Sequence, residues 1–144
     1  MSPLKFKALT FDVVGTLIDF ERGMLDYLRL VAPNAPLSDD DFLTAYRAER
    51  AADDSIFYPD DLERVWRKLA PKLGLPATDK AAVGFRQSVA HWPAFPDSVE
   101  ALRRLKKHFK LVATTNTQRW AVGNFERTLE MPARAAFLAS TPVV

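Results

Sequence analysis

The residues best suited to catalysis follow a largely apolar segment near the N-terminus. Residues 7–11 lead directly into Asp12, and Gly15 and Thr16 follow after a short gap. Parallel strands of α/β folds present reactive groups at their carboxyl ends. A carboxylate held there can act as a nucleophile in hydrolytic reactions. We therefore predict that Asp12 is a candidate nucleophile, and that Gly15 supplies the permissive backbone for the turn after it.

The surrounding sequence predicts the elements that must position Asp12. Residues 7–14 have the apolar character of a buried strand, and residues 111–115 predict a second short strand that Asn116 closes. Helical periodicity and breaker residues predict helices between and around these strands, at about residues 21–31, 38–52, 60–74, 79–90, 98–107 and 119–130. Residues 132–144 are only weakly patterned. The alternation of strand, helix and strand favours an α/β fold with parallel pairing and right-handed crossovers.

The spacing of the two strands predicts an inserted domain. Residues 20–92 are too many for a single crossover connection and carry several helical patterns. We interpret this block as a helical cap over the carboxyl ends of the strands. The α/β core is then split between residues 1–19 and 93–144.

Composition narrows the classes of function. The chain has 144 residues, a net charge of +2 with scattered basic residues, and no cysteine. This charge gives no reason to expect a nucleic-acid or membrane partner, and disulfide or thiolate chemistry is excluded. The N-terminus lacks a secretion-signal pattern, so a cytoplasmic location is expected. No spacing of His, Asp or Glu predicts a metal cluster, and we expect no metal site.

The motifs resemble those of the haloacid dehalogenase superfamily. Residues 12–17, Asp-Val-Val-Gly-Thr-Leu, are similar to its first motif, Asp-x-(Asp or Tyr)-Gly-Thr-Leu. The strand ending in Thr115-Asn116 is similar to its second motif. The helical block resembles the cap of the type II 2-haloacid dehalogenases, in which an arginine follows an aromatic residue, as in Tyr46-Arg47. The resemblance implies a parallel-sheet core with an inserted helical cap.

The resemblance also implies roles for the first motif. Asp12 would attack the substrate to form an ester or acyl-phosphate, which water then hydrolyses. Phosphatase members carry a second Asp at the place of Val14, as general acid for the leaving alcohol. Valine cannot transfer a proton and a halide needs none, so Val14 favours carbon–halogen cleavage. The dehalogenase branch has Tyr there, so Val14 matches neither pattern, and it is also interpretable as a neutral core residue.

The resemblance implies further substrate-binding residues. Val14, Gly15 and Thr16 would line the site, although Thr16 is equally interpretable as a brace for the loop. Thr115 and Asn116 would donate hydrogen bonds to a substrate carboxylate or developing charge, or else only cap the end of a strand. Arg47 would pair with a carboxylate, with Arg50 as a competitor for that role and an ordinary solvated helix arginine as the alternative.

The family pattern is not complete in this sequence. The resemblance implies a third motif with a Lys and a fourth with one or two acids, but no Lys follows Lys110. We therefore expect a C-terminally truncated, incomplete core in which the strand leading to Asp12 has one unpaired edge. Such a chain is expected either to fold poorly alone or to cover this edge by homo-oligomerisation.

Three functional hypotheses follow. The first is Asp-nucleophile hydrolysis of a small 2-haloacid without a cofactor, in a chain that is either active or crippled by the missing third and fourth motifs. The second is a magnesium-dependent phosphatase of the same superfamily, whose substrate would be a small phosphoester. The third is a non-catalytic fragment or interaction module.

Overall fold

The architecture is α/β. The computed structural model describes residues 5–53, 55–131 and 136–139. The elements, in chain order, are β1 (Ala8–Phe11), α1 (Phe20–Val31), α2 (Asp39–Ala52), α3 (Asp61–Leu73), α4 (Asp79–Gln87), a 3-10 turn (Ser88–His91), α5 (Ser98–Lys106), β2 (Lys110–Thr115), α6 (Arg119–Thr128) and β3 (Ala136–Ala139). This order confirms the predicted fold class.

The strands form one parallel sheet in the order β1-β2-β3. The register of β1 on β2 runs from Ala8 opposite Lys110 to Phe11 opposite Ala113. On its other side, β2 pairs with β3, beginning with Val112 opposite Ala136. Among the described residues β2 is therefore the only strand that pairs with β1. The edge position of β1 agrees with the predicted unpaired edge.

Two features of the strands differ from the prediction. β1 is shorter than the predicted strand at residues 7–14 and is not buried, because Ala8 and Thr10 are exposed while Leu9 and Phe11 are only half-buried. An edge strand lacks the neighbour that would complete its burial. The weakly patterned tail also contains β3, whose pairing with β2 depends on contacts far away in sequence.

The chain divides into two compact units, an α/β unit of Met1–Phe20 with Trp92–Val144 and a helical unit of Glu21–His91. Trp66, Phe42 and Phe85 are fully buried at the centre of the helical unit. The predicted helix at residues 79–90 is α4 followed by the 3-10 turn.

Local signals end the helices of this unit. Ser38 caps α2 by accepting a hydrogen bond from the Asp41 backbone N–H at 3.1 Å. Gly74 ends α3 with φ of 67°, in the left-handed region that glycine adopts without strain. Both positions confirm the helix boundaries predicted from the sequence.

The core of the α/β unit lies between the sheet and its helices. Fully buried side chains from the loop after β1, from β2 and from α6 meet there, namely those of Val13, Ile18, Ala113, Ala121 and Phe125. Asp97 is the N-cap residue of α5 but makes no side-chain capping hydrogen bond. Instead, the buried hydroxyl of Ser98 donates to the Leu17 carbonyl at 2.8 Å and fixes α5 to the loop that follows β1.

In the described part of the chain, no helix is long and apolar enough to cross a membrane.

Candidate active site

The loop after β1 is a tight, internally bonded turn. The carbonyl of Val13 accepts hydrogen bonds from the backbone N–H groups of Thr16, Leu17 and Ile18 at 2.8–3.2 Å. The Gly15 N–H donates to the Ile18 carbonyl at 2.9 Å. Val13 and Ile18 are completely buried, so they anchor both ends of the turn in the core. The loop is therefore held rigidly at the carboxyl end of β1.

Gly15 meets two requirements of this turn. Its φ is 86°, a backbone conformation that L-amino acids with side chains rarely adopt. A Cβ atom added there would also lie 3.3 Å from the ring of Phe20. Sequence reasoning predicted Gly15 as the permissive residue of the turn, and its positive φ confirms that local prediction.

Asp12 lies at the exposed mouth of this turn, directly after β1. The hydroxyl of Thr16 donates to its Oδ2 atom at 3.0 Å. The described residues provide no second hydrogen bond to this carboxylate, so Oδ1 keeps its lone pairs for another group. The structure thus shows an oriented carboxylate with one braced oxygen, and Thr16 is the residue that braces it.

Val14 is half-buried within the loop and forms an isolated parallel bridge with Ile18. Its side chain has no group that can accept or donate a proton. The position two residues after Asp12 therefore contributes apolar surface and no acid–base chemistry.

The end of β2 contributes the neighbouring side chains. Because Phe11 lies opposite Ala113 in a parallel register, Thr114 and Thr115 lie at the same end of the sheet as Asp12. The Thr114 hydroxyl donates to the Phe11 carbonyl at 3.3 Å and connects the two strand ends. The sheet therefore brings the first and second sequence motifs together at the carboxyl ends of β1 and β2.

The hydroxyl of Thr115 forms a buried hydrogen bond with the hydroxyl of Thr117. Thr115 is 7% exposed, and its Oγ1 lies 2.7 Å from Oγ1 of Thr117, which is 1% exposed. The side chain of Asn116 is exposed at the same strand end. Sequence reasoning did not find Thr117, although a Thr-x-Thr spacing at a strand end was the available signal. The pair fixes the conformation of the chain on which Asn116 is presented.

Comparison with models of known protein families identifies the family of this chain. The family model of haloacid dehalogenase-like hydrolases matches residues 6–139. The chain belongs to the haloacid dehalogenase-like hydrolases. No curated protein matches its sequence.

Solved structures share the fold of this haloacid dehalogenase-like hydrolase. The L-2-haloacid dehalogenase PA0810 is 20% identical, with a TM-score of 0.72 over 96% of this chain. The L-2-haloacid dehalogenase of Xanthobacter autotrophicus is 16% identical, with a TM-score of 0.73 over 93% of this chain. A HAD-hydrolase of Bacillus subtilis, YfnB, solved bound to magnesium, is 20% identical, with a TM-score of 0.69 over 92% of this chain. The chain spans 56–66% of the length of these three proteins.

The helical unit contains the two arginines predicted as candidate ligands of a substrate carboxylate. Arg47 is exposed and forms an ion pair with Glu21. Arg50 is more enclosed: its Nε donates to Asp61 at 3.0 Å and its Nη1 to the Tyr46 hydroxyl at 3.3 Å. The Arg50 guanidinium also lies 4.4 Å from the centre of the Tyr58 ring. The structure therefore separates a surface arginine from one held by three neighbours.

Asp61, the partner of Arg50, is a buried carboxylate with an incomplete set of hydrogen bonds. It is 3% exposed, and its Oδ1 atom has no hydrogen-bond partner among the described residues. Burial raises the pKa of Asp61 above its ordinary value of 3.8, and the lowering effect of Arg50 does not fully compensate. In the folded protein, the Asp61 carboxyl therefore keeps its proton at a pH at which the same group in the unfolded chain releases it. The corresponding stabilisation is present below the unfolded pKa and is lost as the pH rises through the folded pKa.

We expect Asp61→Asn to remove this pH dependence. The amide of Asn resembles the protonated acid but does not titrate. As the pH falls from about 7 to about 4, the unmodified chain should therefore gain stability relative to the variant, so that its free energy of unfolding minus that of the variant increases. Urea unfolding of both proteins across this range measures the difference. Asp53→Asn is the matched control, because hydrogen bonds from Ser55 lower the pKa of Asp53 and the difference should change in the opposite direction. A pH-independent difference for Asp61→Asn would contradict the assignment.

In the residues that the structure describes, no three His, Asp or Glu side chains converge as metal ligands.

Proposed function

We propose that this hydrolase cleaves the carbon–halogen bond of a small 2-haloacid, with Asp12 as the nucleophile. The observation that carries the proposal is the geometry of the loop after β1. The Asp12 carboxylate is braced through Oδ2 by Thr16, and the position two residues later is Val14, which has no proton to give. A leaving group that departs as a halide ion requires no general acid.

The proposed reaction has two balanced steps. Oδ1 of Asp12 attacks C2 of the haloacid, the new C–O bond forms, and the carbon–halogen bond breaks with its electron pair leaving on the halide. Water then attacks the Asp12 ester carbonyl, which releases a 2-hydroxy acid and a proton and regenerates the carboxylate. Rigid placement of the nucleophile is the main contribution of the turn. Neither step calls for a metal or cofactor.

The proposal assigns binding roles to the neighbouring residues. Asn116, exposed at the end of β2, is the proposed hydrogen-bond donor to the substrate, and Thr115 with Thr117 holds it in place. Gly15 leaves room beside the nucleophile. Arg47 is the proposed ligand of the substrate carboxylate from the helical unit, with Arg50 as its competitor.

A stoichiometric assay tests the nucleophile. Excess protein is mixed with 2-chloropropionate, and released chloride is measured together with the mass of the peptide that contains Asp12. We expect chloride release and an ester adduct on Asp12, because alkylation requires only the carboxylate and not the later hydrolysis. Asp12→Asn should reduce the rate of chloride release by on the order of 10⁴-fold or more, which is the scale seen when a nucleophile is removed.

Asp97→Asn is the matched control, because it removes an exposed carboxylate of the same unit outside the loop. It should leave chloride release unchanged. Equal chloride release by Asp12→Asn and the unmodified chain would overturn the role of Asp12. A folded chain that yields neither chloride nor adduct would overturn the dehalogenase proposal. Phosphate release from a phosphoester with magnesium would then assign the phosphatase class instead, and silence in both assays would favour an interaction module.

We also propose self-association through the edge of β1 with which no described strand pairs. Thr10 and Ala8 are exposed on this strand, and an edge strand offers backbone N–H and C=O groups to another copy. Thr10→Lys places a charge on that strand and should weaken the self-association.

A further inference from the structure

The two units of the chain differ in charge. The α/β unit contains ten Lys and Arg residues against six Asp and Glu residues, whereas the helical unit contains ten against twelve. The small net charge of the whole chain therefore hides a surplus of cations in the α/β unit. Their positions along the sequence are scattered, but the fold brings most of them together.

Six of these cations lie at the amino end of the sheet, which is the end opposite Asp12. The backbone N–H of Lys110, the first residue of β2, donates to the carbonyl of Lys7, just before β1, at 2.9 Å. α5 ends at Lys106, and a link of three residues joins it to β2, so its last turn lies at the same end. The six residues are all exposed, and we call them the basic patch: Lys5, Lys7, Arg104, Lys106, Lys107 and Lys110.

The basic patch lacks acidic partners in the part of the chain that the structure describes. None of its six side chains forms an ion pair with a described carboxylate, whereas Arg103 in the same helix pairs with both Glu100 and Glu130. The dipole of α5 favours cations in its last turn, but Lys5 and Lys7 lie outside that helix. Folding therefore gathers like charges that repel one another, and an anionic surface would relieve this repulsion.

Two exposed apolar side chains accompany the basic patch. Phe6 is 54% exposed and separates two of its lysines, and Leu105 is 37% exposed and follows Arg104. The surface of an anionic membrane matches both features, because its headgroups attract cations and its acyl boundary accepts apolar side chains. A nucleic acid would contact the same cations and stack on Phe6, but base stacking uses aromatic rings and leaves the exposed leucine unexplained.

We infer that the basic patch binds the surface of an anionic membrane. The contact is peripheral and reversible, because a few cations and two apolar side chains bind far more weakly than a spanning helix. In this orientation the carboxyl ends of β1 and β2 point away from the lipid. The candidate active site around Asp12 then stays open to a substrate dissolved in water.

Co-sedimentation of the full chain with lipid vesicles tests the charged part of this contact. We expect binding to vesicles of equal parts phosphatidylglycerol and phosphatidylcholine, and binding at least about tenfold weaker to phosphatidylcholine alone. Binding should fall at least about fivefold between about 0.1 M and about 1 M salt, because the Debye length shortens from about 10 Å to about 3 Å. Lys107→Glu combined with Lys110→Glu should weaken binding at least about tenfold.

Lys68→Glu combined with Lys80→Glu is the matched control for net charge. Both lysines are exposed in the helical unit and form no ion pair with a described carboxylate. This variant should bind the anionic vesicles as the unmodified chain does. Melting curves confirm that each variant is folded. Equal binding by the unmodified chain and by the variant with both changes in the basic patch would overturn the inference.

Phe6→Ser tests the apolar part of the contact. It should weaken binding to the anionic vesicles at least about fivefold, because a phenylalanine side chain no longer leaves water. Phe57→Ser is its control, since Phe57 is an exposed phenylalanine of the helical unit and this change should leave binding unaltered. An unmodified chain that does not bind anionic vesicles at low salt would refute the membrane contact. Binding of a single-stranded oligonucleotide by that chain would then assign the basic patch to nucleic acid instead.

Discussion

Trp66→Ala is expected to lower the free energy of unfolding of the helical unit by about 3–5 kcal/mol, the range for removing a buried Trp or Phe. Trp66 is fully buried, and its ring centre lies 5.0 Å from that of Phe85, 5.5 Å from that of Tyr27 and 6.4 Å from that of Phe42. Each neighbour would lose an aromatic partner at the same cavity. Since domains are stable by only about 5–15 kcal/mol, this one change approaches the limit for folding.

A lost hydrogen bond increases the expected effect of Trp66→Ala. The indole Nε1–H donates to the Pro76 carbonyl at 2.9 Å, and that carbonyl would lose its partner. Urea unfolding followed by far-UV circular dichroism measures the change, with hydrogen exchange of peptides from residues 21–91 as the local readout. Trp120→Ala is the control, because Trp120 is 39% exposed and its removal should cost less than about 1 kcal/mol. Equal losses in the two variants would contradict the central role of Trp66.

Local sequence signals predicted the helices between residues 21 and 91 well, because each signal depends on neighbouring residues. The Ser38 hydroxyl reaches a backbone N–H three residues away, and Gly74 stops α3 through its own φ. The buried apolar positions of α2 and α3 recur at helical spacing, so their burial follows from periodicity; they are Phe42 and Tyr46 in α2, and Leu62, Val65, Trp66 and Leu69 in α3. Such signals require no knowledge of the rest of the fold.

The sheet was predicted less well because its limits depend on distant partners. The length of β1 depends on where β2 pairs with it, about a hundred residues later, and on the absence of a described strand at its other edge. β3 has no distinctive pattern of its own, and its pairing with β2 defines it. Thus, Ala8 and Thr10 are exposed in a strand whose composition predicted burial.

The candidate site shows the same division. The turn after Asp12 was predictable, because Gly15 and Thr16 act within a few residues of the carboxylate. The hydrogen bond between the Thr115 and Thr117 hydroxyls was not predictable, because it depends on whether the Thr115 hydroxyl points outward or towards Thr117. The ion pair of Arg47 with Glu21 likewise joins two helices and has no local signal.

Gly84→Ala is expected to destabilise the helical unit by about 1–3 kcal/mol, although alanine is the better helix former. A Cβ atom at this position would overlap the hydroxyl of Tyr27 and lie 3.1 Å from its Cζ atom. The Tyr27 ring cannot simply withdraw, because it packs against Trp66 and Phe85 and its hydroxyl donates to the Ala81 carbonyl. The clash therefore opposes a propensity gain of only about 0.5–1 kcal/mol.

Gly123→Ala is the same chemical change with the opposite expected sign. Gly123 lies within α6, and a Cβ atom there would meet nothing within 4 Å, so this variant should be stabilised by about 0.5–1 kcal/mol. Urea unfolding of both variants gives the comparison, and stabilisation by Gly84→Ala would contradict the predicted clash. Tyr27→Phe removes the overlapping hydroxyl, so Gly84→Ala should cost less in that background than alone. Equal costs in the two backgrounds would show that the close approach of Tyr27 is not what requires glycine at this position.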